Sequence, residues 1–453
     1  MRKRWWVACA GLPIVAALAM IQSGPLPLRA WLTHPLASFI LARGQNPWPV
    51  HLTRPGSKPL SAMAQLGREV FFDPSLSSSG RLSCASCHSP DHAYGPSGGE
   101  PAVNGGPDLS RQGVRAVPSL MYLERQPGFS IGPDDDEAED VNLTQLAALA
   151  VKAPRARKTA GDSAAAANLV PQGGLFWDGR ADTLQDQASG PLLSPLEMDG
   201  GDVETVAAKL RQAPYAARMR ALVGPAVFDT PALAVSEALF AVARFQIEDV
   251  SFHPYISKFD FWLEGKARLT RSELRGYLLF NDPSKANCAG CHLAAPRPDG
   301  LPPLFTDHQF EALGAPRNPA LAANRDPAYF DLGVCGPWRS DMVGETRFCG
   351  MFTTPTLRNV ATRSVFFHNG VFHSLRTVMD FYNDRDVAPE HVFPRGAGGS
   401  VARFDDIPPE LRGNVDVVDA PFDRHPGDRP AMTSAEEDDI VAFLRALTDG
   451  YRP

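Results

Sequence analysis

The sequence predicts a mainly α-helical chain made of two related domains in tandem, with few short strands. Three observations carry this. The stretch Cys84-Ala85-Ser86-Cys87-His88 returns as Cys288-Ala289-Gly290-Cys291-His292, and the spacing of about 200 residues leaves room for one domain per copy. A matching passage leads into each copy: Gly67 and Phe71 precede Asp73-Pro74-Ser75, while Gly276 and Phe280 precede Asp282-Pro283-Ser284. Helix-start signals recur along the chain, whereas alternating strand patterns are scarce.

In chain order, the first residues read as an export signal. Arg2, Lys3 and Arg4 precede the apolar run from Trp5 to Ile21, within a leader or anchor over residues 1–30. Such a run is either cleaved or retained in the membrane. Residues 31–58 are rich in Pro and Leu without helical period and read as a linker. A first domain is expected over 59–265, opening with a helix from Ser61 to Phe72 that ends at Asp73-Pro74. Thr230-Pro231 places an N-cap and a first-turn proline before an Ala-rich helix. A second domain is expected over 266–453. Thr270 with Glu273 forms a capping box. Thr433 with Glu436 forms another, opening a last helix with Ile440, Val441, Phe443, Leu444 and Leu447 on one face.

One stretch interrupts the first domain. Residues 128–172 hold an acidic run (Asp134 to Asp140), a basic run (Lys152 to Lys158) and an Ala-rich segment. This reads as a solvated surface insertion, with a docking element for a protein partner as the alternative. The whole chain of 453 residues is 44% hydrophobic and 21% charged, as expected of a globular protein. Its net charge of -7 argues against a broad nucleic-acid-binding face.

The repeated motif is C-x-x-C-H, the attachment site of a c-type haem. Two thiols three positions apart can add to the two vinyl groups of one porphyrin, and the adjacent His can take an axial position on the iron. Zinc would want further Cys or His nearby, which neither copy has. Two covalent haem c groups are therefore expected, on Cys84, Cys87 and His88 and on Cys288, Cys291 and His292. Such attachment belongs to an exported compartment, where disulfides persist, so a bridge between Cys335 and Cys349 is expected and the periplasm is the predicted location.

Further motifs bring a family into view. Leu66-Gly67 through Phe72-Asp73-Pro74, Phe176-Trp177-Asp178-Gly179-Arg180, Glu197-Met198, Thr354 to Val360, and Phe367-His368-Asn369-Gly370 follow one another in a set order. From about residue 60 onward, outside the insertion, the chain resembles the bacterial di-haem cytochrome c peroxidase and MauG family. The resemblance implies a peroxidatic haem on His88 and an electron-transfer haem on His292. It implies that Glu197 is the acid/base for peroxide cleavage, with Gln187 and Pro191 in the same distal pocket and Trp177 between the haems. In typical peroxidases of this family a loop His blocks the peroxidatic iron at rest. The corresponding loop here, around Asn104, has no His, which implies an open position as in MauG. His92 reads as a surface or propionate-contacting residue.

The resemblance places Tyr382 as second axial ligand of the C-terminal haem, where MauG has a Tyr and typical peroxidases a Met. Met379, three residues earlier on the same helical face, is the rival. His368 is expected near the second haem in a packing and hydrogen-bonding role. A calcium ion between the haems is also implied, although Arg363 and Val365 stand where Thr and Pro are usual. Three functions follow from the resemblance. One is a hydrogen peroxide-reducing enzyme fed by a small cytochrome c or cupredoxin. The second is a MauG-like enzyme that oxidises residues of a partner protein. The third is a non-enzymatic electron carrier, against which Glu197, Gln187 and Pro191 argue.

Overall fold

The computed structural model describes residues 35–133, 169–396 and 398–453. The predicted leader and the two charge runs of the insertion lie outside the described residues. The two ends of the insertion are drawn together: β3 (Ser130–Pro133) pairs antiparallel with β4 (Leu169–Gln172), Ser130 opposite Gln172. The other sheets are two-residue pairs, β1 (Asn104–Gly105) with β2 (Arg111–Gln112) and β5 (Phe310–Glu311) with β6 (Phe352–Thr353). The rest of the regular structure is helical, as expected. Among the described residues no helix is long and apolar enough to cross a membrane.

The stretch 31–58 departs from its reading as a linker. It contains a helix, α1 (Pro35–Leu41), and then straps across the second half of the chain. Trp262 Nε1 donates to Gly44 O at 3.0 Å, Asn46 Nδ2 donates to Leu263 O at 3.0 Å, and Leu41 and Leu52 join the second core. Apolar residues at irregular spacing were buried here by tertiary contact, not by helical periodicity.

The predicted helices α2 (Ala62–Phe71) and α7 (Pro231–Glu248), with α4 (Leu184–Leu193), α5 (Val203–Gln212) and α6 (Ala216–Val223), surround the first core; the one-turn α3 spans Cys84–Cys87. Ser61 caps α2 by accepting from Ala64 N, and Glu248 at the end of α7 accepts from Ser61 N. Thr230 stands at the N-cap of α7 with Pro231 behind it, but its side chain makes no capping bond. The second core is built on α8 (Lys258–Leu263), α9 (Arg271–Phe280), α10 (Leu375–Asp384) and α11 (Ser434–Arg445). Both predicted capping boxes are present.

The sequence repeat has a packing reason. Gly67 on α2 lies so close to α7 that a Cβ there would sit 1.8 Å from Ala241 O. Gly276 on α9 meets α11 in the same way, 2.0 Å from Asp439 O. Each helix pair therefore crosses backbone to backbone, which any side chain at the glycine would prevent. One turn on, Phe71 and Phe280 are fully buried in aromatic clusters. Asp73 and Asp282 then close matching turns by accepting from Ser75 N and Ser284 N at 2.8 and 2.9 Å.

A buried ion pair fixes α8 to the chain around Arg358 within the second core. Arg358 Nη2 and Nη1 donate to Asp260 at 2.7 and 3.0 Å, and both side chains are fully buried. Burial pushes the Asp260 carboxyl up, but Arg358 and Ser257 outweigh it and hold the group below the usual carboxylate range. Tyr122 and Asn359 both donate to Asp449 Oδ2, at 2.5 and 2.7 Å, tying the first half to the last turn of the second.

Two outcomes are expected. Gly276→Ala should cost about 1–3 kcal/mol through overpacking, read as a lower thermal midpoint, while Gly344→Ala, which meets open space, should leave the midpoint unchanged. Arg358→Met should cost about 3–5 kcal/mol in denaturant unfolding, because it strands a buried carboxylate. Adding Asp260→Asn should recover part of that loss.

Candidate haem and peroxide site

The two C-x-x-C-H copies adopt short turns that bring both thiols and the imidazole to one place. In α3 the Ser83 backbone N–H donates to Ser86 Oγ at 2.9 Å, closing a capping box over the first thiol. The second copy is a 3-10 turn over Cys288–Gly290, entered through a left-handed Asn287. None of the four cysteines is disulfide-bonded. Burial pushes the Cys84 thiol up to about 12 and that of Cys87 to about 11.

Each imidazole is held the same way. His88 Nδ1 bonds Tyr94 O at 3.0 Å, and His292 Nδ1 bonds Phe305 O at 2.9 Å. Burial lowers both His to about 4, so each is neutral at neutral pH, with Nδ1–H given to a carbonyl and the Nε2 lone pair free. That is the state an iron ligand needs. Tyr94 and Phe305 both have positive φ, 50° and 56°, which turns their carbonyls toward the rings.

A second set of paired contacts supports these loops. Ser119 Oγ donates to Ala93 O, and Thr356 Oγ1 donates to Leu304 O, in each case to the residue before the positive-φ aromatic. The carbonyls of Pro118 and Pro355 also face His88 and His292. Val117-Pro118-Ser119-Leu120 is thus the counterpart of Thr354-Pro355-Thr356-Leu357. Sequence reasoning singled out the second strap and missed the first, although Pro-[Ser/Thr]-Leu in both was the available signal.

A cavity of about 820 Å³ runs from Cys288, Cys291 and His292 to Trp177 and Gln187. Leu375, Val378, Met379 and Tyr382 of α10 line it. Unpaired thiols, neutral imidazoles and this cavity fit a covalently attached porphyrin. Tyr382 is half-buried, stacks on Phe422 at 5.4 Å and lies within electrostatic range of Cys291 and Cys288. Burial raises its phenol well above the usual value. Met379 is 5% exposed and counts among the second core's own residues.

Glu197 sits in the turn after α4. Ser194 O accepts from both Glu197 N and Asp199 N, at 3.1 and 2.9 Å, and Pro191 O accepts from Met198 N. The side chain is accessible to solvent, yet protein crowds it enough to raise its carboxyl, against the pull of Ser194 and Arg180. Its charge is felt by Cys87, which places it beside the first attachment site. The loop around Asn104 closes on it: Gly106 N donates to Glu197 O at 2.8 Å, and a Cβ on Gly105 would meet that carbonyl at 2.3 Å. Gln187, 9% exposed, and Pro191 lie on α4, whose Gly190 packs against the Phe176 ring.

Trp177 is 9% exposed and donates from Nε1 to Ala116 O at 2.8 Å, in the residue just before the first strap. Ala116 N in turn donates to His368 O at 2.7 Å. Next to Trp177, the fully buried Asp178 accepts from Arg115 at 2.7 Å and Arg180 at 2.9 Å, and Arg115 also grips Asp331 at 2.6 and 2.7 Å. His368 is buried, stacks on Phe352 at 3.5 Å, and is lowered to about 4 by burial; the expected packing is present, but its buried Nε2 makes no hydrogen bond among the described residues. His92 lines the cavity with its Nδ1 3.4 Å from Ser89 Oγ. Cys335 and Cys349 form the expected disulfide, closing the loop that carries Arg339, whose Nη1 donates to Asp178 O. The Arg115, Asp178 and Asp331 network was not foreseen, because its members are far apart in sequence.

Comparison with known proteins agrees with this geometry. The family described as di-haem cytochrome c peroxidase matches residues 61–268. The methylamine utilization protein MauG of Paracoccus denitrificans is 31% identical over 440 residues, 94% of this chain and 97% of that protein. A cytochrome c551 peroxidase of Nitrosomonas europaea is 28% identical over 319 residues, 68% of this chain and 69% of that protein. The crystal structure of the diheme peroxidase BthA from Burkholderia thailandensis superposes with a TM-score of 0.73 at 36% identity, covering 87% of each chain. This chain therefore belongs to the di-haem cytochrome c peroxidase and MauG family, haem c oxidoreductases that act on peroxide.

Proposed function

We propose that this chain is a periplasmic di-haem peroxidase that reduces hydrogen peroxide at its N-terminal haem. Electrons enter through the C-terminal haem from a small cytochrome c or cupredoxin. One haem belongs to each half, 59–265 and 266–453. The observation that carries the reading is Glu197, a solvent-accessible carboxylate held above the usual glutamate range whose charge is felt at Cys87. When bound, haem c supplies an iron that takes up peroxide and exchanges electrons. Glu197 accepts the proton from the inner peroxide oxygen and returns it to the outer one, so that water leaves. Gln187 and Pro191, on the helix that leads into the Glu197 turn, would limit where peroxide can lie. Trp177, fixed by Ala116 O, holds an indole between the two sites. Tyr382 is the second axial ligand of the C-terminal haem in this reading, favoured over Met379 because it is half-buried on the cavity wall near both thiols.

A second reading has specific support. Tyr382 and the His-free loop at Asn104 resemble MauG, and a MauG is among the relatives. In that case the oxidising power is delivered to a residue of a partner protein. Rapid mixing of the fully oxidised protein with hydrogen peroxide separates the two. Fast oxidation of added reduced cytochrome c supports the peroxidase. A long-lived optical change that reduced cytochrome c discharges only slowly selects the protein-oxidising enzyme. An oxidised protein inert to peroxide overturns both and leaves an electron carrier.

Glu197→Gln should slow the reaction with peroxide by about 10²–10⁴-fold in stopped-flow measurements. The wild-type rate should fall on the acid side as Glu197 takes up its proton, at a pH above the usual glutamate range, and the variant should lack that limb. Tyr382→Phe should abolish the phenolate signature in resonance Raman spectra, and an unchanged spectrum would remove Tyr382 as ligand.

A further inference from the structure

We infer that the Arg363 guanidinium is a built-in cation between the two haem sites, which takes the place of a calcium ion and pairs with haem carboxylates. Position comes first. Arg363 Nη2 donates to Val117 O at 2.9 Å, and Nε lies 3.4 Å from Val365 O. Val117 stands between Ala116, whose carbonyl holds Trp177, and Pro118, whose carbonyl faces His88. Arg363 lines the same cavity as Cys291, His292 and Trp177. Its charge is felt at His88, where it opposes protonation. One side chain thus reaches both sites.

Its partners come next. The hydrogen bonds go to two backbone carbonyls, and among the described residues Arg363 forms no ion pair. Burial alone lowers it, to about 10, so it stays charged at neutral pH. A half-buried cation on a cavity wall is favoured by an opposite charge nearby. No described acid provides it, and the group that fills this cavity carries two carboxylates of its own. Guanidinium binds carboxylate in a forked geometry, which gives direction as well as charge.

The calcium ion implied by the resemblance does not fit here. Calcium takes six to eight oxygen ligands and favours carbonyls and carboxylates. The Val117 carbonyl beside this space already accepts from Arg363. A divalent ion beside the guanidinium would meet direct repulsion. A fixed side chain also differs from an ion in consequence: it cannot be chelated away.

The inference rests on the presence of two haems, not on the peroxide chemistry, so its test reads spectra and potentials. Purified di-haem protein is dialysed against EGTA, then assayed for calcium and recorded by EPR. The expected result is no stoichiometric calcium and an unchanged spectrum. Retention of one calcium per protein, or a spectrum altered by EGTA and restored by calcium chloride, overturns the inference without any variant. Arg363→Gln, with both haems verified by pyridine haemochrome, should lower the midpoint potential of the N-terminal haem, since a positive charge favours the reduced iron. Arg363→Lys should restore most of the shift. Equal potentials in wild type and Arg363→Gln would likewise overturn it.

Discussion

Two hydrogen bonds, His88 Nδ1 to Tyr94 O and His292 Nδ1 to Phe305 O, set the terms for the rest of the molecule. An axial imidazole must be neutral, fixed in one tautomer and aimed. Burial alone would secure the first condition but not the others. The carbonyls are aimed by left-handed aromatic residues, a conformation that carries strain and persists where the surroundings over-determine it. Those surroundings are the two Pro-[Ser/Thr]-Leu straps. Each ties its hydroxyl to the residue before the strained aromatic and presents its proline carbonyl to the ring.

The straps also join the two sites. Ala116 to Ser119 holds Trp177, His368 and Arg363 within four consecutive residues. The second strap leads directly into Arg358, which pairs with Asp260 of α8, and Asn359, which shares Asp449 with Tyr122 of the first half. A buried pair such as Arg358–Asp260 is weak evidence of net stability. Its geometry instead fixes α8 against the second strap, while the bond from Tyr122 to Asp449 joins the halves.

The halves are alike in scaffold and unlike in what faces their sites. The first presents Glu197, with Gly105 and Gly106 folded against its backbone and no His in the covering loop. The second presents Tyr382 and Met379 from one face of α10. Duplicated helices and straps thus carry two different distal environments, the division of labour that the proposed function uses.

Much was legible in the chain itself. The C-x-x-C-H pairs, the Gly-Phe-Asp-Pro repeat and the capping boxes are local, so residue spacing alone specified the attachment sites and the helices around them. The roles given to Glu197, Trp177 and Tyr382 came from ordered motifs, not from periodicity. What the chain could not display was long-range. Leu41 and Leu52 follow no helical period, yet they dock on the second core. Arg115, Asp178 and Asp331 meet across more than two hundred positions. Arg363 stood out in the chain only as a replacement for the usual Thr, and its partner Val117 became visible only in the fold. Local propensity depends on neighbours in sequence, whereas burial, charge compensation and backbone strain depend on neighbours in space, and only the folded chain supplies those.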